Sequence, residues 1–151
     1  MKLTQISLFL ENRPGRLRAP VQVLADRGIN ILTLSLADTQ QFGILRLIVR
    51  DWATARTALE DHGYVVSLTE VVAVEVEDRP GGLASVLAHV DDASLNVEYM
   101  YAFTFGRGGR AVLIFRFEDP DAAIALLQAK GVNVVGDVDL FARGANGAGD
   151  S

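Results

Sequence analysis

Two copies of one short phrase hold the residues of this chain whose types and spacing best suit ligand chemistry. Asn12-Arg13-Pro14-Gly15 near the start returns as Asp78-Arg79-Pro80-Gly81, with Pro80 lying 66 positions after Pro14. An alternating apolar run precedes each copy and a helix-like segment follows it. The phrase therefore lies at a predicted helix N-terminus, where unpaired backbone N–H groups and the helix dipole attract a carboxylate. Its glycine lets a ligand approach the backbone closely.

The polar side chains near the phrase complement that anion site. The amide of Asn12 offers both a donor and an acceptor, which is enough to bind one half of a zwitterion. Asn30 opens the next predicted strand, where we expect it near the same end of the sheet, and Asn96 is its counterpart in the second copy. Asp78 replaces Asn12 in that copy, and its carboxylate either holds an ammonium group or caps the following helix. An α-amino acid needs this combination of donors for its carboxylate and acceptors for its ammonium group.

The elements predicted around each phrase follow the order β-α-β-β-α-β. An alternating run from Ile6 to Leu10 predicts the first strand, and apolar residues at helical spacing up to Gly28 predict the first helix. The second repeat matches this order, with an insertion of two residues that we place after its third strand. The pattern predicts an α+β protein of two ferredoxin-like βαββαβ units, each an antiparallel sheet with both helices on one face. We assign the units to residues 1–69 and 70–141, and we expect residues 142–151 to form a disordered tail.

One apolar stripe in the second repeat has two interpretations. Val97, Tyr99, Tyr101 and Phe103 alternate along a single predicted strand, and we expect them to fall on one side of it. The stripe is either a contact between repeats or between chains, or ordinary core.

Composition and charge exclude several functions of βαββαβ units. The formal net charge of −5 argues against a nucleic-acid binder, which must neutralise phosphates, and the third strand from Gly43 to Arg50 lacks the aromatic residues that stack on RNA bases. The chain has no cysteine, which excludes thiolate nucleophiles and cysteine metal sites. No apolar run reaches membrane-spanning length. We predict a cytoplasmic protein that is not an enzyme, has no metal or cofactor, and binds neither nucleic acid nor membranes.

The phrases, their length and their position resemble the ACT domain, a regulatory module that binds amino acids. Glu11–Leu17 and Arg27–Ile31 resemble in particular the ACT domain that ends some phosphoglycerate dehydrogenases, and the resemblance covers both repeats up to about Val135. It implies that units pair side by side through first-helix and second-strand edges, with an amino acid bound at that interface. In serine-sensing members, asparagines equivalent to Asn12 and Asn30 contact the effector. A histidine two positions before the first asparagine also takes part there, and Leu10 replaces it in this chain.

The candidate ligand-binding residues comprise both phrases, their neighbours and the two asparagines. In the first copy they are Leu10, Asn12, Arg13, Pro14, Gly15, Arg16, Leu17 and Asn30. In the second copy they are Asp78, Arg79, Pro80, Gly81, Gly82, Leu83 and Asn96. The simpler alternatives remain open: each Pro-Gly pair forms only a turn, the asparagines only stabilise a corner, and Arg16 faces solvent.

These observations predict a regulatory protein that binds an amino-acid effector at its β1–α1 loops. Most ACT domains are attached to an enzyme that they regulate; this chain resembles the stand-alone tandem members, so we expect a separate regulated enzyme that the sequence does not identify. We also expect a homodimer, because each small sheet has edges and a face to cover. The alternative is a structural pairing module whose ligand sites are degenerate.

Overall fold

The computed structural model describes residues 1–38, 40–103 and 108–146. Its elements in chain order are β1 (Leu3–Glu11), α1 (Arg18–Asp26), β2 (Ile31–Asp38), β3 (Phe42–Val49), α2 (Trp52–Asp61), β4 (Val66–Glu77), α3 (Gly82–Asp92), β5 (Val97–Ala102), β6 (Arg110–Phe117), α4 (Pro120–Ala129), β7 (Val134–Val135) and α5 (Asp137–Asn146). The chain forms two compact units. The first unit spans Thr4–Thr69, and the second comprises Met1–Leu3 with the chain from Glu70 onward.

The first unit is an antiparallel sheet with two helices on one face. Its strands follow the order β2-β3-β1-β4, and both β1 and β2 run antiparallel to β3. Alternate strand residues point toward α1 and α2, where they bury their side chains because apolar area is removed from water there. The buried core residues are Ile6, Leu8, Leu10, Val23, Leu24, Leu45, Leu47, Val49, Ala55, Ala58 and Leu59.

The second unit repeats this architecture. Its strands follow the order β7-β4-β6-β5, and all three pairs are antiparallel. The core between the sheet and helices α3 and α4 consists of Val72, Val74, Val76, Val86, Val90, Leu113, Phe115, Phe117, Ala123, Leu127 and Val134. The predicted fold class, two ferredoxin-like βαββαβ units with helices on one face, is therefore confirmed.

A further helix, α5, covers the opposite face of the second sheet. Leu140 on α5 is completely buried, and Arg143 of the same helix binds Glu75 of β4. Glu75 alternates along β4 with Val74 and Val76, which face α3 and α4, so α5 lies on the other side. This helix was not predicted from the sequence. A disordered tail beginning at residue 142 was wrong as far as Asn146, and residues 147–151 lie outside the described part of the chain.

Two local predictions of the repeat pattern also differ from the structure. The last strand of the first repeat and the first strand of the second are one strand, β4, because residues 66–77 contain no glycine or proline to break it. The two-residue insertion lies between β5 and β6 rather than after β6. Glu11 pairs with Phe42 but its counterpart Glu77 pairs with Arg110, so the offset between repeats has already grown from 66 to 68 at the start of the third strand.

The apolar stripe of β5 does not stay on one side of the sheet. The register of β5 against β6 shifts between Val97 and Tyr99, which marks an irregularity such as a β-bulge. Val97 and Met100 both pack against the core of the second unit. One added position reverses the alternation, so Tyr99 and Tyr101 do not share the core side with Val97. The prediction that all four residues share one side was therefore wrong for Val97, while Tyr99 and Tyr101 lie together on the other side.

Candidate functional site

The two copies of the phrase form loops with the same backbone hydrogen bonds. The first loop (residues 12–17) joins β1 to α1, and the second loop (residues 78–81) joins β4 to α3. The bonds run from Arg16 to Arg13 (3.2 Å) and from Ala19 to Gly15 (3.3 Å) in the first copy, and from Gly82 to Arg79 (3.0 Å) and from Ser85 to Gly81 (2.9 Å) in the second. The duplicated sequence therefore makes one turn twice, with shorter bonds in the second copy.

Glycine is required in both turns by the backbone conformation. Gly15 has a φ of 84° and Gly81 a φ of 89°, in the left-handed region where a Cβ atom is unfavourable. Pro14 and Pro80, which precede them, are exposed, as are Leu83 and the two asparagines Asn30 and Asn96.

Gly82 has a second, steric requirement. A Cβ atom at Gly82 would lie 1.9 Å from the carbonyl oxygen of Glu77, so only glycine fits while the helix start stays that close to the strand end. The equivalent residue of the first loop is Arg16. There α1 begins only at Arg18, two positions later in the repeat than α3. Pro20 accounts for the later start, because it has no N–H to donate to the Arg16 carbonyl, whereas its counterpart in α3, Val86, has one.

The helices that follow the phrase lack the side-chain caps that the other helices of the repeats have. Asp51 caps α2 by accepting from the Thr54 N–H at 3.1 Å, and Asp119 caps α4 by accepting from the Ala122 N–H at 3.1 Å. Hydrogen bonds from Thr54 also hold the pKa of Asp51 below its usual value. At α1 and α3 no side chain makes a capping bond. A helix N-terminus without a cap presents N–H groups to an anion.

The side chains at the first position of the phrase are used differently from the prediction. The Asn12 amide donates to the Gln40 carbonyl at 2.9 Å and so fixes the β2–β3 hairpin; its second N–H and its acceptor oxygen remain for a ligand. Asp78 does not cap α3, whose N-cap residue is Gly81, so the capping alternative was wrong. An acceptor oxygen at the end of a strand is what the two positions share.

Asn30 lies at the opposite end of the sheet from Asn12, and the expectation that they are neighbours was wrong. Glu11, next to Asn12, pairs with Phe42, whereas Ile31, next to Asn30, pairs with Val49 at the other end of β3. The reason is the parallel direction of β1 and β2, which puts the start of β2 beside the start of β1. Asn12 and Asn30 of one unit therefore do not contact one small ligand together.

The first loop borders two small cavities. One, of about 70 Å³, lies between the loop and the β2–β3 hairpin and brings together four predicted residues with Leu36 and Gly43. The predicted residues are Leu10, Asn12, Arg13 and Leu17. The other cavity, of about 170 Å³, lies toward β4 and is lined by Phe9, Leu10, Glu11, Arg16 and Tyr64. Leu10 is also a core residue.

The second loop borders a larger cavity, of about 310 Å³, between the start of α3 and the α4–β7 connection. It is lined by Glu75, Val76, Glu77, Arg79, Gly81, Gly82, Ser85, Val86, Arg110, Gly131, Val132 and Asn133. Of the predicted residues, Arg79, Gly81 and Gly82 are brought together here. In both copies the arginine of the phrase forms an ion pair with the glutamate two residues before it.

Glu75 is the buried charge of this cavity, with its side chain 9% exposed. Its carboxylate accepts from Arg110 at 2.8 Å and from Arg143 at 2.6 Å. Burial by itself raises the pKa of Glu75, but the hydrogen bonds from Arg143, Arg110 and Asn133 outweigh it and leave the pKa below its usual value. Sequence reasoning missed Glu75 because it alternates with core valines and so resembles an exposed residue; its cover, α5, was not foreseen.

The described residues contain no group of histidines and carboxylates that would hold a metal. His62, at the end of α2, contacts the Ala58 carbonyl at 2.9 Å. None of the described helices is long and apolar enough to cross a membrane.

Comparison with known proteins places this geometry in a family. A family model described as "ACT domain pair" matches residues 1–143. Protein BT0572 from Bacteroides thetaiotaomicron is 38% identical, with 93% of this chain and 96% of that one covered and a TM-score of 0.87. The ligand-free regulatory subunit of aspartate kinase from Thermus thermophilus is 21% identical over 83% of this chain and 91% of that one, with a TM-score of 0.61. The corresponding subunit from Thermus flavus is 20% identical over 83% and 90%, with a TM-score of 0.59. No curated protein matches.

The family match agrees with a regulatory rather than a catalytic module. An ACT domain pair is a regulatory module, and no catalytic family matches the sequence. The two phrase loops, the two βαββαβ units and the match over residues 1–143 agree, and the chain belongs to the family of ACT domain pairs.

Proposed function

We propose that this protein is a regulatory sensor that binds an amino acid at the first loop. The ligand carboxylate binds the N–H groups at the uncapped start of α1, and the free acceptor oxygen of Asn12 binds its ammonium group. The cavity formed by Leu10, Leu17 and Leu36 takes the side chain. The observation that carries this proposal is the contrast in capping: α2 and α4 have aspartate caps, while the helices after both phrases have none.

A second copy of the chain completes the site in this proposal. Asn12 and Asn30 lie at opposite ends of one sheet, so a two-fold pairing through α1 and β2 brings Asn30 of one copy toward Asn12 of the other. Leu34 and Leu36 support this pairing, because β2 is an edge strand and these side chains are 44% and 53% exposed. Their cross-strand partners Leu47 and Leu45 are core residues, so both leucines lie on the helix side of the sheet.

The regulated partner is a separate protein in this proposal. Two solved structures with a similar fold are described as regulatory subunits of aspartate kinase. We propose that this chain likewise acts on an enzyme, and that the amino acid changes the affinity between them. A ligand shifts such an equilibrium only through its different affinities for the two states.

The direct test is a thermal-shift measurement against each of the twenty amino acids at millimolar concentration. A ligand at 100 times its dissociation constant stabilises the folded state by about 2.7 kcal/mol, which raises the melting temperature by several degrees. The shift is expected to be lost in Asn12→Ala and Asn30→Ala. Asn96→Ala is the matched control, because it removes the equivalent exposed asparagine from the second unit.

Sedimentation equilibrium tests the pairing. Wild-type protein is expected to be a dimer, and Leu34→Glu combined with Leu36→Glu is expected to give a monomer that no longer responds to the amino acid. The absence of a shift with all twenty amino acids would contradict the sensor proposal. A dimer that responds to none of them would identify the chain as a structural pairing module with degenerate sites.

A further inference from the structure

The cavity of the second unit has a polar arrangement that the first unit lacks. Glu75 of β4 faces the cavity, and the α4–β7 connection contributes Asn133. At the positions of Glu75, Gly82 and Arg110, the first unit has Phe9, Arg16 and Phe42. Its corresponding cavity is about half as large, at about 170 Å³ against about 310 Å³.

The hydrogen bonds show which group remains available to a ligand. Glu75 is already paired with two guanidinium groups, since Arg110 and Arg143 both donate to it. Arg110 binds Glu75 through Nη1 and its side chain is 56% exposed, which leaves several of its five N–H donors for another acceptor. Arginine holds carboxylates well because its planar fork matches them with two parallel bonds. The remaining N–H donors of Arg110 therefore suit the cavity to bind a carboxylate.

Glu75 also connects the cavity to α5. One of its oxygens accepts from Arg110 at the cavity, and the other accepts from Arg143 of α5. Arg143 is braced by Asp139 one turn earlier, at 3.1 Å, and Leu140 between them is completely buried. A carboxylate ligand on Arg110 would withdraw positive charge from Glu75 and leave that carboxylate more fully to Arg143.

We propose that the cavity beside Arg110 is a second small-molecule site, that it binds the carboxylate of an amino acid, and that Glu75 couples its occupancy to the docking of α5. The inference rests on the proposed function for the class of ligand, but it concerns different residues. Binding strengthens the contact between Glu75 and Arg143, so ligand and α5 stabilise each other. By linkage, a change that weakens the docking of α5 lowers the affinity for the ligand by the same factor.

The test is isothermal titration calorimetry of the full chain with each of the twenty amino acids. Wild type is expected to bind two molecules per chain. Arg110→Phe, which introduces the first unit's residue at this position, is expected to bind only one, and Asn12→Ala is expected to retain the site at Arg110. Arg143→Met is expected to weaken that site about fivefold, the lower end of typical coupling between sites. Arg56→Met, which removes an exposed arginine of α2, is the control. Circular dichroism melts check that each variant is folded.

Hydrogen exchange gives a readout that does not depend on stoichiometry. Amides of α5 are expected to exchange more slowly when the amino acid is bound, and this protection is expected to disappear in Arg110→Phe. If Asn12→Ala abolishes binding and Arg110→Phe leaves it unchanged, this inference is overturned and the proposed function is kept. The reverse pattern would keep this inference and overturn the role of the first loop. The absence of binding by any amino acid would overturn both.

Discussion

The first and second loops show how a duplicated structure diverges at the start of a helix. Both copies make the same two backbone bonds around a left-handed glycine. In the second copy, Gly82 lets the backbone approach the Glu77 carbonyl, and α3 starts there. In the first copy, Arg16 occupies that position, and α1 starts two positions later because Pro20 has no N–H to donate to the Arg16 carbonyl. The helices end at equivalent residues, Asp26 and Asp92. The difference is therefore confined to the N-terminal turn.

The cavities beside the two loops also differ. The first loop borders the small cavity toward β2, where Asn12 and Leu17 lie, and a second cavity lined by Arg16. The second loop, drawn close at Gly82, borders the larger cavity toward β7, where Arg79 lies. Duplication has thus preserved the turn while the side chains around it have diverged. The cavities of the two units therefore differ in their chemistry.

The largest expected effect comes from replacing Gly82 with alanine. The added Cβ atom overlaps the Glu77 carbonyl oxygen, so the start of α3 must move away from the end of β4. We expect a loss of about 3 kcal/mol in the free energy of unfolding, measured by urea denaturation. The matched change Arg16→Gly in the first unit is expected to alter stability by less than about 1 kcal/mol. A Gly82→Ala variant as stable as the wild type would show that the approach to Glu77 is not required.

The next effect concerns the face of the sheet that only the second unit covers with α5. Glu75→Gln removes the charge that holds Arg143, and we expect a loss of about 2 kcal/mol, below the range for breaking a fully buried pair because Arg143 is partly exposed. The matched residue of the first unit, Phe9, is 66% exposed. Phe9→Gln is therefore expected to change stability by less than about 0.5 kcal/mol.

The stability that Glu75 contributes is expected to depend on pH. The pKa of Glu75 is lower in the folded state than its usual value of 4.5, so its stabilising contribution is present above that value and is lost as the pH falls toward the folded-state pKa. The difference in unfolding free energy between wild type and Glu75→Gln is expected to be constant from neutral pH to about 5.5 and to shrink below about 4.5. A difference that grows with acid would contradict the assignment.

The sequence predicted the order of elements and the duplication, because alternation and helical spacing are local patterns. The position of Asn30 could also have been predicted from the order of elements. A β-α-β connection makes β2 parallel to β1, so the start of β2 must lie at the opposite end of the sheet from the phrase. Other features depend on packing. The apolar content of α5 is low, and its placement depends on the distant Glu75. The irregularity at Val97 has no marker in the sequence, and the fit of Gly82 depends on Glu77, five residues away in the chain.

The smallest expected effects separate the capped helices from the uncapped ones. Asp119→Ala removes the bond to the Ala122 N–H and is expected to cost about 1 kcal/mol. Asp78→Ala, beside a helix whose N-cap is Gly81, is expected to change stability by less than about 0.5 kcal/mol because no capping bond is lost. Urea denaturation of both variants makes the comparison. An equal loss for Asp78 would mean that its carboxylate caps α3 in solution, and the N–H groups at the start of α3 would then not be available to an anion.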